Sequence, residues 1–178
     1  MNVNDTIPSG SSSNPSSMSK RASLFLLAVL GFLIAMYLGL YQLHVYPHVW
    51  EPFFGNGTNA VVKSSFSRSL PIPDGLIGAF GYLCDMILVS IGDYVRWKTK
   101  PWAVILYSGL VAMMGFVSIL LIIAQPVFLQ TWCTLCLASA ALSLSMVIPT
   151  MQEFKATFKF VKKEKRNGKT FWEAMRGN

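Results

Sequence analysis

The sequence predicts an all-α integral membrane protein, a bundle of four spanning helices with both termini in the cytoplasm. Three observations carry that prediction. Hydrophobic residues make up 53% of the 178-residue chain and charged residues only 13%, about half the charged share of a soluble domain. From Pro101 to Gln152, a run of 52 residues, there is not one Asp, Glu, Lys or Arg; a spanning helix takes about 20 residues, so this run suits two passes. The 15 Lys and Arg cluster on one side of the spans that the apolar segments define. The mean hydropathy of +0.47 agrees. This composition excludes a disordered chain, a coiled coil and a disulfide-stapled miniprotein, and it argues against an ordinary cytosolic enzyme. The length allows one domain.

Residues 1–20 are rich in Ser, Asn, Pro and Gly, a composition that cannot bury enough surface to offset its ordering entropy, so they are expected to form a disordered tail. Residues 21–150 hold the four spans. The first runs from Ala22 to Leu43, about 33 Å of helix. A signal peptide would have an apolar region of about 7–15 residues ending in small residues; this one is longer and ends in Tyr37, Tyr41 and Gln42, so it is expected to be retained. A polar and aromatic loop over residues 44–73 follows, with a turn at Gly55-Asn56-Gly57. The second span runs from Gly75 to about Gly92, interrupted by Asp85. The third runs from Trp102 to about Ala124, Pro126 marks the turn, and the fourth ends near Pro149.

Lys and Arg number two before the first span, two in the first loop (Lys63, Arg68), three in the second loop, none in the third and eight in the C-terminal region. Cytoplasmic termini place 13 of them inside and two outside, as the positive-inside rule demands. The net charge of +7 is thus a topology signal, and nucleic acid is not an expected partner. Residues 151–178 read as a basic amphipathic cytoplasmic tail: Phe154, Phe158 and Val161 recur at helical spacing between lysines, a pattern suited to an anionic leaflet. Thr170 to Glu173 fits a capping box for a last short helix.

Two of the three cysteines stand as Cys133-Thr134-Leu135-Cys136. Positions three apart on a helix share a face, within reach of a disulfide. The pair falls at the N-terminal end of the fourth span, where the helix dipole favours a thiolate, on the side that in a bacterial inner membrane faces an oxidising compartment. No second Cys or His pair completes a zinc set, and Leu137 stands where a c-type haem motif needs His. The plain alternative is a pair of small buried hydrophobes. Cys84 reads as a packing residue. Asp85 is costly in lipid and by default faces the bundle interior, a position that invites a functional role. His44 and His48, beside Tyr46 and Trp50, read as part of an interfacial belt rather than as metal ligands.

The stretch SSFSRSLPIPDGLIGAFGY (64–82), the four-span layout and WCTLCLASA (132–140) together resemble the vitamin K epoxide reductase family, over about residues 20–150. The resemblance implies a four-helix bundle around a quinone of the ubiquinone or menaquinone type. It implies that Cys136, deeper in the bundle, faces the ring, and that Cys133, the more exposed sulfur, exchanges disulfides with the outside. It further implies Ser65, Asp74, Gly78 and Tyr82 as cofactor-side residues, Ser65 as a loop serine and Asp74 as the polar group near a quinone oxygen. Ser65 could equally cap a short loop helix, and Asp74 is a good N-cap. Two departures stand out. The family's relay pair of cysteines is missing from the first loop, where Asn59 falls near the second relay position, and Ala140 replaces a tyrosine four residues beyond the inner cysteine.

The expected activity is therefore thiol–disulfide exchange coupled to a membrane quinone, with a thioredoxin-like protein on the outer face as partner and lipid around the spans. The rival reading is a non-catalytic membrane scaffold, or a quinone- or lipid-binding protein, that has lost the relay.

Overall fold

A computed structural model describes residues 7–8, 14–62, 72–168 and 170–176. Among them every regular element is helical: α1 (Met18–Gln42), α2 (Gly57–Val62), α3 (Asp74–Ser90), α4 (Arg96–Thr99), α5 (Pro101–Ala124), α6 (Thr134–Arg166) and α7 (Phe171–Arg176), with a π-helical turn over Gln125–Leu129. Among the described residues three helices are long and apolar enough to cross a membrane: Met18–Gln42, Pro101–Phe128 and Thr134–Arg166. The chain is a multi-pass membrane protein. The expected second span is α3, whose 17 residues reach about 25 Å, the lower limit for a crossing.

α1 packs against α3 and α6, and α5 packs against α3 and α6. Their shared core joins Leu24, Ala28 and Ala35 of α1 to Ala79, Tyr82 and Val89 of α3, Tyr107 and Val111 of α5, and Met146 of α6. The outward faces carry exposed Leu26, Leu30, Phe80, Ile87, Phe116 and Leu120, an apolar surface that only lipid can cover without penalty.

The α1–α3 seam is built from small residues. Gly31, Ala35 and Gly39 recur every four positions and therefore share one face. A Cβ at Gly31 would strike the Tyr82 ring, and one at Gly75 would lie 2.5 Å from the Gly39 backbone nitrogen. Such seams let backbones approach closely where lipid offers no hydrophobic drive between helices.

The opposite end of the seam is held by charge. The last carbonyls of a helix lack intrahelical partners and carry partial negative charge. Arg21 donates to the carbonyls of Val89 (2.8 Å), Ser90 (2.9 Å) and Gly92 (2.8 Å). Arg96 donates to those of Leu88 and Val89 (3.0 Å each) and forms a two-pronged ion pair with Glu153 at 2.6 and 2.7 Å. Gly92 makes the turn at φ +97°, and a Cβ there would meet the Arg96 side chain. Two arginines counted as free topology charges are thus fully engaged, because the orphaned carbonyls lie within reach of both.

Three expectations need correction. Residues 14–17 are not a loose tail: Asn14 donates to the Tyr94 carbonyl (2.9 Å) and Ser16 to Glu153 (2.5 Å), and both are buried; residues 1–6 and 9–13 lie outside the described ones. The third span does not turn at Pro126. Proline at the start of the π-helical turn leaves the helical path open as far as Leu129, and the chain reverses at Gln130, which is left-handed (φ 49°). The helix that carries the fourth span does not stop at Pro149, which sits inside α6. α6 continues for about 50 Å in all, so the basic segment to Arg166 extends the helix, with Glu153, Ala156, Thr157 and Val161 buried where α6 meets α4 and α7. The capping box holds: the Glu173 carboxylate accepts from the Thr170 N–H at 2.9 Å.

Candidate active site

Cys133 begins α6. Its backbone is extended (φ −110°, ψ 113°), and its sulfur accepts the N–H of Cys136 at 3.1 Å, so the same sulfur serves as N-cap and as half of a cysteine pair. Cys133 and Cys136 are joined by a disulfide, with Cα atoms 5.2 Å apart. Reduction would leave a sulfur at the positive end of a 33-residue helix, where a thiolate is favoured.

Three elements enclose Cys133. From the end of α5, buried Gln125 accepts the Cys133 N–H on Oε1 at 3.0 Å. From α2, the Thr58 hydroxyl oxygen lies 3.4 Å from the sulfur. From the preceding loop, the Glu51 carboxylate accepts the hydroxyls of both Thr58 and Thr134 and their backbone N–H groups at 3.0 and 3.3 Å. Glu51 is thereby a tie between α2 and the first turn of α6. Burial would raise its pKa, but the Thr134 and Thr58 hydrogen bonds outweigh that and hold the carboxyl at about 2. Gly57 lies against the Trp132 carbonyl with no room for a Cβ, and Asn59 accepts the Tyr41 hydroxyl at 2.9 Å. The position near which a relay thiol was expected therefore anchors α2 to α1.

This enclosure corrects the expected exposure of the two sulfurs. Cys133 is fully buried (0%), and Cys136, expected to be deeper, is half-buried, packed beside Leu38, Tyr41, Val62 and Leu135. The reason is tertiary: α2 and Glu51 cover the helix start, which sequence position alone would leave open.

The other expected site residues divide. The Tyr82 hydroxyl donates to the Ser139 carbonyl at 2.7 Å and lies 3.1 Å from its Oγ, one helical turn from Cys136. Asp74 is the first residue of α3 rather than its N-cap, which is Pro73; its carboxylate accepts the Gly75 N–H (2.9 Å) and the Gln42 amide. Gly78 faces the Ala35 methyl, where an added Cβ would sit at 3.6 Å, and so serves the α1–α3 seam. Ser65 lies outside the described residues. Cys84 is a free, half-buried thiol on α3. Asp85 is buried, with no partner for Oδ1 among the described residues. His44 and His48 are exposed, and the Tyr37 and Tyr46 rings near them lie 5.6 Å apart.

Glu51, Thr58 and Gln125 were not anticipated. One signal existed: Glu51 is the single acidic residue of the 44–73 loop. What it meets could not be read, because Thr58 is seven and Thr134 is 83 positions away.

No curated protein sequence matches the chain. The family model described as the vitamin K epoxide reductase family matches residues 22–151, which takes in α1 from Ala22, the whole of α3 and α5, α6 as far as Met151 and the disulfide. Membership supports an oxidoreductase, consistent with the bonded cysteine pair. The chain belongs to the vitamin K epoxide reductase family.

Proposed function

We propose that the chain is a quinone-linked membrane thiol–disulfide oxidoreductase. In this reading α1, α3, α5 and α6 form a four-span bundle, both termini lie in the cytoplasm and the disulfide end faces an oxidising compartment such as the bacterial periplasm. The observation that carries the reading is the Cys133–Cys136 disulfide at the start of α6, with the Tyr82–Ser139 pair one turn further in.

The chemistry divides between the two sulfurs. A substrate thiolate attacks Cys133, displacing Cys136 as a thiolate and forming a mixed disulfide; the substrate's second thiol then releases Cys133 and leaves the enzyme as a dithiol. The quinone is a co-substrate from the membrane pool that accepts two electrons and two protons, and the Cys133–Cys136 bond re-forms. Tyr82 and Ser139 fit a site beside Cys136. Asp74 and Gly78 fit it less well, since both are engaged along the α1–α3 seam. Ser65 is retained as a loop contact. Because Cys133 is covered, exchange requires Glu51 to release Thr58 and Thr134. Trp50, Phe53 and Phe54 are exposed around that cover and offer an apolar docking surface for a thioredoxin-like protein.

The missing loop cysteines favour the scaffold reading, and a trapping experiment separates the two. In Cys136→Ser, the lone Cys133 thiolate can attack the disulfide of an oxidised partner, displacing one partner sulfur as a thiolate, and no second thiol in the chain resolves the mixed disulfide, so a covalent, reductant-sensitive adduct should accumulate on non-reducing gels. Cys133→Ser should accumulate much less, and Cys84→Ala should behave as wild type. No adduct from either mutant, in cells with an intact oxidising compartment, would support the scaffold.

A further inference from the structure

Between the disulfide and the arginine end, the interior is polar where an inert core would be apolar. Asp85 Oδ1, Tyr107 Oη, Ser143 Oγ and Thr150 Oγ1 are all buried and make no well-formed hydrogen bond among the described residues, although the Tyr107 hydroxyl stands against Thr150 and the Tyr82 hydroxyl against Ser143. Each of these side chains is at most 3% exposed. Leaving such groups unpaired is unfavourable, and apolar residues of similar size would avoid it.

Pairwise neighbours link them. Tyr82, hydrogen-bonded to Ser139, neighbours Ser143 and Asp85. Asp85 in turn neighbours Tyr107, which stands beside Thr150. The Arg96 guanidinium lies 5.4 Å over the Tyr107 ring and is paired with Glu153. From Ser139 to Glu153 this series of neighbours follows α6 for about 21 Å, and its upper end is one turn from Cys136.

The geometry points to a proton path: we infer that this column carries protons between the arginine end and the redox pair, with Asp85 as the group that takes up and releases them and internal water bridging the gaps. Ionisable residues inside a membrane mark such relays, and unsatisfied buried polar groups are the partners that internal water needs. The titratable groups near Asp85 are Tyr82 on its own helix and Tyr107 from α5; Arg96 from α4 and Glu153 from α6 stand on the far side of that pairing, beside Tyr107, and Arg21 of α1 is bound to the α3 carbonyls. The inference rests on the quinone reading for its direction. The substrate dithiol gives up two electrons and releases two protons at the disulfide end as its S–S bond forms. The quinone gains those two electrons and two protons drawn along the column, forming two O–H bonds.

Two measurements test it on the full chain in detergent. The first is turnover with dithiothreitol as thiol and a short-chain ubiquinone as acceptor. Asp85→Asn should lower turnover at least tenfold, while dithiothreitol alone reduces the Cys133–Cys136 disulfide at the wild-type rate, and Asp85→Glu should recover turnover. The second needs no quinone: the infrared difference spectrum between disulfide and dithiol forms should show a protonated-carboxyl band that shifts in heavy water. That band should be lost in Asp85→Asn and kept in Asp93→Asn. Wild-type turnover in Asp85→Asn, or absence of the band from wild type, overturns the path. Loss of both turnover and disulfide reduction without recovery in Asp85→Glu marks a structural residue and overturns it too. A chain that shows the band but no turnover with any quinone removes the quinone reading and leaves Asp85 as a proton carrier.

Discussion

At the arginine end, Arg96 pairs with Glu153, and Arg21 and Arg96 both bind the last carbonyls of α3. At the disulfide end, the polar cover over Cys133 is made of neutral side chains and one carboxylate, each borrowed from a different element: Gln125 from the end of α5, Thr58 from α2 and Glu51 from a loop. The first arrangement ties long helices together through charges that are difficult to separate in a water-poor interior. The second ties a six-residue helix to the start of α6 through hydrogen bonds that water can replace. The stronger ties are concentrated away from the disulfide, and the cover over Cys133, which the proposed exchange would have to open, is held by the weaker ones.

The largest test of this contrast is at the arginine end. Glu153→Ala leaves the Arg96 guanidinium buried without its counter-charge, a change that typically destabilises by about 3–5 kcal/mol. Thermal unfolding in detergent should show a large loss, with Glu153→Gln falling between mutant and wild type. Wild-type stability in Glu153→Ala would mean that the carbonyl contacts alone hold Arg96.

An intermediate effect is expected in the seam. Gly75→Ala forces a methyl against the Gly39 backbone, and overpacking of this kind costs about 1–3 kcal/mol. Gly109, whose added Cβ would meet nothing within 4 Å, is the control: Gly109→Ala should leave the unfolding temperature unchanged or raise it slightly. Equal losses in both would make helix propensity, not the α1–α3 approach, the cause.

The smallest change in stability, and the most local, should come from the cover. The Glu51 carboxyl is held at about 2, below its ordinary value of 4.5, so its ionised form favours the closed arrangement. That contribution is complete above about pH 4.5 and is lost as pH falls through about 2. Reduction of the disulfide by a phosphine should therefore be slow and constant from pH 8 to 5 and accelerate as pH falls below about 4.5. Glu51→Gln should be reduced several-fold faster than wild type at pH 7 and lose that acid dependence, with little change in unfolding temperature. A pH-independent rate in wild type would show that Glu51 does not hold the cover.

Much of this protein was legible in its sequence because lipid imposes a one-dimensional code. The 52-residue uncharged run, the first apolar segment and the charge asymmetry each reflect a requirement met by the residue itself, whatever its neighbours. The Thr170–Glu173 cap was legible for a similar reason, since capping acts within three or four positions, whereas Cys133 was read as lying near the start of the fourth span and not as its cap. The resemblance carried by residues 64–82 and 132–140 agrees with the family now shown, although its loop serine lies outside the described residues.

What the sequence could not determine are pairings between distant positions. Arg96 counts as one more loop charge until Glu153, 57 positions away, and the end of α3 are folded around it. Pro149 reads as a stop until packing against α4 and α7 carries α6 past it. Cys133 reads as the open sulfur until Glu51 joins Thr58 to Thr134 above it. Composition and local periodicity fix where a helix forms and that it lies in a membrane, since those follow from each residue's own transfer free energy. Which buried polar group meets which partner depends on how helices pack in three dimensions, and only the tertiary structure decided that.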